Sequence, residues 1–203
     1  MCPVYGGSPT SVSSDRLAAL WRIYSLAGVR RGEALALSWD CVNLESGEFR
    51  VQRTLGEVAG KLSWSTPKTM NGMRTVAVDP RTVSALRTHR SRQAAEKLAL
   101  GRGCHDEGLV FAAEDGRPIW PGSNSDRFHV LGARAGLPQI RLPYLRHSAA
   151  SLALAAGVDL KTVSSNLGHA GISITADRYS HVLPAAARAA AERVADLVDE
   201  NTM

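Results

Sequence analysis

The chain has 203 residues, 44% of them hydrophobic and 21% charged, with a formal net charge of +5. That length suits one ordinary domain, the composition excludes a disordered or fibrous chain, and no apolar run reaches the roughly 18 residues of a membrane span. The positive balance permits an anionic partner without demanding one.

Of the 24 basic residues only Lys61, Lys68, Lys97 and Lys161 are lysines. The rest are arginines, whose planar fork grips phosphate bidentately, although a coding bias toward Arg and Ala gives the same composition. Cys2, Cys41 and Cys104 are odd in number and far apart. They fit neither a disulfide framework nor a zinc knuckle, and a reducing cytoplasm is expected. No basic stretch followed by an apolar core opens the chain, so no secretory signal is expected.

Residues 1–13, with Gly6, Gly7, Pro9 and several serines, read as a flexible leader. Ser14 is the expected cap of a helix with the apolar face Leu17, Leu20, Trp21 and Tyr24, ending at Gly28. A second helix, with Leu35 and Leu37 apolar, is expected to run to about Cys41. The period then changes. Phe49 to Arg53 alternates, Val58 to Trp64 is expected as a second strand and Thr75 to Val78 as a third, with Asn71-Gly72 marking a tight hairpin turn. Asp79-Pro80 opens a long helix to Gly101, and a short Leu109-Val110-Phe111 segment ends in the turn Asp115-Gly116. Helices are expected over 124–135, 144–156, 159–167, 172–179 and 185–198, with Gly136, Gly157 and Gly168 where C-terminal caps belong. The fold class is α+β, mainly helical, with a small three-stranded antiparallel sheet.

Two pairs of cations sit at helix starts: Arg30 and Arg31 after Gly28, Arg146 and His147 after Pro143. A cation there faces the positive end of the helix dipole, at a cost of roughly 0.3–1 kcal/mol. An anion held jointly by the arginines and the free helix N–H groups offsets that cost; arginines pointing into water avoid most of it. Read singly, Lys68 beside a turn is a solvated charge, His169 after Gly168 a helix-capping histidine, and Tyr179 a half-buried tyrosine. His147 and His181 read as supports of the fold.

The segment Ala27-Gly28-Val29-Arg30-Arg31-Gly32-Glu33-Ala34-Leu35-Ala36-Leu37-Ser38-Trp39 resembles the first box of the tyrosine recombinases, the phage-integrase family. Leu145-Arg146-His147-Ser148-Ala149-Ala150-Ser151 is similar to the second box, and Leu167-Gly168-His169 through Tyr179-Ser180-His181-Val182 to the third. Thr66-Pro67-Lys68-Thr69 is similar to the hairpin carrying the family's lysine. The four occur in the family's order. The resemblance implies that Tyr179 attacks a DNA phosphodiester to form a 3′-phosphotyrosyl link. It implies that Arg30 and Arg146 clamp the non-bridging oxygens, His169 donates to the same phosphate and Lys68 protonates the leaving 5′-oxygen. Glu33, three residues after Arg30, is placed to hold that arginine. His181 is a further supporting residue, and neither a metal nor another cofactor is implied.

Two positions depart from the pattern. The histidine usual three residues before the second arginine is here Pro143, with Tyr144 either a local hydrogen-bonding replacement or a packing residue. Reinstating histidine is expected to raise cleavage by roughly ten-fold, since acid–base groups contribute typically 10²–10⁴-fold. The family's N-terminal core-binding domain is also expected to be absent, with a catalytic domain at residues 14–203. The implied function is site-specific recombination or integration on double-stranded DNA. The expected assembly is a monomer alone and a tetramer on paired sites, its terminal helix passing to a neighbour. The alternatives are a degenerate integrase that binds DNA without cleaving, a type IB topoisomerase, and a helical protein-interaction domain.

Overall fold

The computed structural model describes residues 14–67 and 72–179, together with residues 191 and 195. The expected leader, Lys68, Asn71 and His181 lie outside the described residues, as does all but two positions of the expected terminal helix.

The first helix, α1 (Ala18–Arg22), begins at Ala18 rather than at Ser14, and Asp15 anchors its entry by accepting from Leu17 N–H at 2.7 Å and Trp21 Nε1 at 3.0 Å. It widens into a π-helical stretch (Ile23–Ala27) that stops at Gly28, whose φ of 62° only glycine adopts freely. A Cβ there would lie 3.0 Å from Leu167 Cδ2. The second helix, α2 (Arg31–Leu35), is shorter than expected. Leu37 O and Trp39 N–H are taken by the backbone of Val110 and Gly108, and that cross-chain pairing pulls the segment out of the helix. Gly32 is packed so tightly on the sheet that an added Cβ would stand 2.4 Å from Leu55 O.

Five strands follow: β1 (Val42–Asn43), β2 (Glu48–Val51), β3 (Thr54–Val58), β4 (Lys61–Ser65) and β5 (Arg74–Ala77). They form a three-stranded antiparallel sheet of β1, β2 and β5 and a separate hairpin of β3 and β4. The sheet therefore has the expected size and antiparallel pairing but different members. Val58 to Trp64 is not one strand, because Ala59 and Gly60 both take positive φ, 50° and 70°, and turn the chain back. β5 pairs with β2 and not with β4, so these two strands are not the arms of one hairpin.

The long helix α3 (Pro80–Leu100) is capped by Asp79, which accepts from the N–H groups of Arg81 and Thr82. The remaining helices are α4 (Pro121–Arg134), α5 (Pro143–Ala155), α6 (Leu160–Leu167) and α7 (Ile172–Tyr179). One large apolar cluster joins α1, α2, the sheet, α3 and the start of α5 through Trp21, Ile23, Leu35, Phe49, Leu86 and Leu145. A smaller one holds α5, α6 and α7 together through Ala150, Leu154, Val163, Leu167 and Tyr179.

Candidate active site

The site is organised by the C-terminal end of α6. Gly168, at φ 65°, folds the chain so that its own N–H reaches Ser165 O and His169 N–H reaches Ser164 O, the two-bond cap of a helix ending in a left-handed residue. The next three carbonyls each accept from a different arginine. Arg74 Nε donates to Asn166 O at 2.6 Å, Arg146 Nη2 to Leu167 O at 2.5 Å and Arg30 Nη2 to Gly168 O at 3.2 Å. Arg146 Nη1 also donates to Gly28 O, at the end of the π-helical stretch, at 2.6 Å. Cations at the starts of their own helices thus lie against the negative ends of others, which offsets their placement.

Glu33 ties two of these arginines together. Its Oε1 accepts from Arg30 Nη1 at 2.6 Å and its Oε2 from Arg74 Nη2 at 2.8 Å, while Oε2 also takes the backbone N–H of Arg30. The Glu33 side chain is 3% exposed and that of Arg74 5%, whereas Arg30 keeps 48% of its surface open. Burial pushes the Glu33 carboxyl up, but the Arg74 and Arg30 contacts outweigh it and hold it below the usual carboxylate range. Burial, and then repulsion by Arg30, brings Arg146 down to about 10, which leaves it charged at neutral pH. Three guanidinium groups against this one carboxylate make an anion site with one accessible arginine at its mouth.

Around this cradle stand two histidines and a tyrosine. His169 Nδ1 is 2.7 Å from the Thr175 hydroxyl; burial, followed by the fields of Arg146 and Arg30, lowers it to about 4. Tyr179 ends α7 and is 2% exposed within the smaller apolar cluster. Its hydroxyl is 3.0 Å from His147 Nδ1. Burial raises the Tyr179 phenol, opposed by Arg146 and Arg178, and burial, Arg178 and Arg146 lower His147. Tyr144 is exposed, its ring set edge-on to His147, and Pro143 is the exposed first residue of α5. A groove beside Pro143 is lined by Arg31, Ser125, His129, Gln139 and Arg141.

The structure brings Arg30, Glu33, Arg146, His169 and Tyr179 to one place, from positions that span most of the chain; Lys68 and His181 lie outside the described residues. Sequence reasoning missed Arg74 and Thr175, and it read His147 as a support of the fold. Arg74 had a signal: it stands two residues before the core residue Val76 in a strand, and so shares its inward face. The contact between His147 and Tyr179 has no such one-dimensional mark.

Residues 8–186 match the family described as "Phage integrase family". The chain belongs to the phage integrase family. It is 36% identical over 199 residues to a tyrosine recombinase XerC-like protein of Caldanaerobacter subterraneus subsp. tengcongensis, over 92% of this chain and 51% of that one. With the ICEBs1 integrase of Bacillus subtilis the identity is 31% over 176 residues, covering 85% of this chain and 47% of the relative. The chain thus spans about half the length of the curated relatives it matches. In fold it is similar to the Tn1549 transposon integrase solved with transposon right end DNA, at a TM-score of 0.74 and 21% identity over 91% of this chain and 62% of that one. The XerA recombinase gives a TM-score of 0.70 at 22% identity, over 90% of this integrase domain and 60% of the other chain. The expected α+β integrase-type catalytic fold is therefore the observed one. Among the described residues no helix is long and apolar enough to cross a membrane.

Proposed function

We propose that this chain is the catalytic part of a tyrosine-type site-specific recombinase, cutting and rejoining double-stranded DNA in the cytoplasm. The observation that carries the reading is the set of three arginines hung on consecutive carbonyls 166–168, with Tyr179 alongside. Tyr179 Oη attacks the scissile phosphorus, forming a 3′-phosphotyrosyl ester while the bond to the 5′-oxygen breaks. Covalent catalysis of this kind keeps the phosphoester energy for rejoining. Arg30 and Arg146 exchange their carbonyl partners for the non-bridging oxygens, where charge grows in the transition state. His169 donates to the same phosphate, and Lys68 supplies the proton to the leaving 5′-oxygen. Glu33 holds Arg30 and Arg74 in register. The chain is proposed to be a monomer alone and a tetramer on paired sites, and the relatives' recombinase and integrase names support the same class.

The test is a DNA duplex nicked near the scissile phosphate, which traps the covalent product. A protein–DNA adduct that disappears in Tyr179→Phe supports the reading. Salt-sensitive binding with no adduct assigns the chain to the degenerate, non-cleaving class instead. Absence of DNA binding at low salt overturns both.

A further inference from the structure

Pro143 carries no acid or base at the position where the family pattern has a histidine. We propose that His147 is the general base of this site, taking the Tyr179 hydroxyl proton on Nδ1 as the Oη–P bond forms and returning it when the strand is rejoined. This rests on the strand-cutting reading above and adds a catalytic residue to it.

The geometry carries the assignment. His147 Nδ1 is 3.0 Å from Tyr179 Oη, within the reach that proton transfer needs. Position 147 lies one helical turn after 143 on α5, so both occupy the same helix face. The acid–base group that Pro143 lacks therefore has a counterpart on the same side of the same helix. His169, the other histidine of the site, has Nδ1 engaged by Thr175. The charged groups that bear on His147 are Arg146 on its own helix and Arg178 on α7, and Tyr144 and Tyr179 are its aromatic neighbours. Burial and both cationic charges disfavour a proton on the imidazole, which leaves it able to accept one.

The proton balance is complete. The hydroxyl proton passes to His147, the oxygen lone pair forms the bond to phosphorus, and the leaving 5′-oxygen takes its proton from Lys68. A substrate with sulfur in place of that 5′-bridging oxygen needs no proton on its leaving group, which separates the two transfers. Single-turnover adduct formation should be followed on both substrates for the wild-type chain, His147→Ala, His147→Gln and Lys68→Ala, with DNA affinity and melting temperature as checks on folding. Both His147 variants are expected to lose about 10²-fold or more on either substrate, while the Lys68→Ala defect disappears on the sulfur substrate. The wild-type rate should fall on acidification with a midpoint below the ordinary imidazole value of about 6.5, and that acid limb should vanish in His147→Ala. Added imidazole, or Pro143→His in the His147→Ala background, should restore part of the rate. An unchanged rate in His147→Ala overturns the proposal, as does a wild-type rate in His147→Gln, since glutamine can position the hydroxyl but cannot take its proton. A His147 defect that vanishes on the sulfur substrate also overturns it. No adduct from the wild-type chain on either substrate overturns the strand-cutting reading itself, and is distinguished by failing in every variant alike.

Discussion

Each Glu33 oxygen accepts from both Arg30 and Arg74, and both Glu33 and Arg74 are almost wholly out of water. Removing one partner of a buried ion pair leaves an uncompensated charge, at a cost of about 3–5 kcal/mol. Glu33→Gln should therefore lower stability by about that amount in urea unfolding, and added sulfate should recover part of it by occupying the arginines. His169 gives a pH signature of the same field. Its folded-state value of about 4 lies below the ordinary 6.5, so the contribution of its neutral form is full above 6.5 and is lost as pH falls through 4. Over that window the unfolded chain binds a proton that the folded one refuses. Urea midpoints measured from pH 7 to pH 4 should fall, and His169→Asn should fall less steeply. With His147 as base, the gain expected from Pro143→His shrinks in the wild-type background, because the role is already filled; equal adduct rates for the two chains would agree.

At the scale of elements, legibility followed the chemistry of helix and strand ends. Asp79-Pro80 is a start signal whose mechanism is local, and α3 begins where it says. Asp79→Ala removes the acceptor of two N–H groups and the partner of Arg22, and should cost about 1 kcal/mol in a thermal melt. The Ala59-Gly60 turn carried no comparable mark, because alanine rarely takes the positive φ that the turn imposes. Likewise α2 ends early through pairing with residues 108–110, a contact invisible to local periodicity. Gly32 is the element-level fulcrum of the site. It lets α2 lie on β3 with no space for a methyl group, so Gly32→Ala has to push the helix away from Leu55 O. Overpacking of this kind costs typically about 1–3 kcal/mol. Because Arg30 and Glu33 ride on the same helix, the variant should also lose adduct formation by more than its melting temperature explains.

Across the whole molecule the site lies on the seam between the large apolar cluster, which supports Arg30, and the small one, which contains Tyr179. Order of the boxes along the chain was enough to expect Arg30 and Arg146 together. The means of bringing them together was not legible, because backbone carbonyls carry no residue signature. The small cluster buries few apolar side chains, and local opening follows that count. Amide exchange in α7 should accordingly be faster than in the middle of α3, and Leu154→Ala should speed it further while leaving α3 unchanged. Hydrogen exchange read by mass spectrometry resolves the two helices.

Residues 166–168 are the one short stretch that touches Arg30, Arg74 and Arg146 at once. Each arginine belongs to a part of the chain synthesised earlier, and none of the three makes this contact until α6 has docked. The arginine cradle is thus completed only once α6 has folded against the earlier part of the chain. In the proposed reaction, a nascent chain that has not yet made α6 therefore lacks an assembled phosphate cradle.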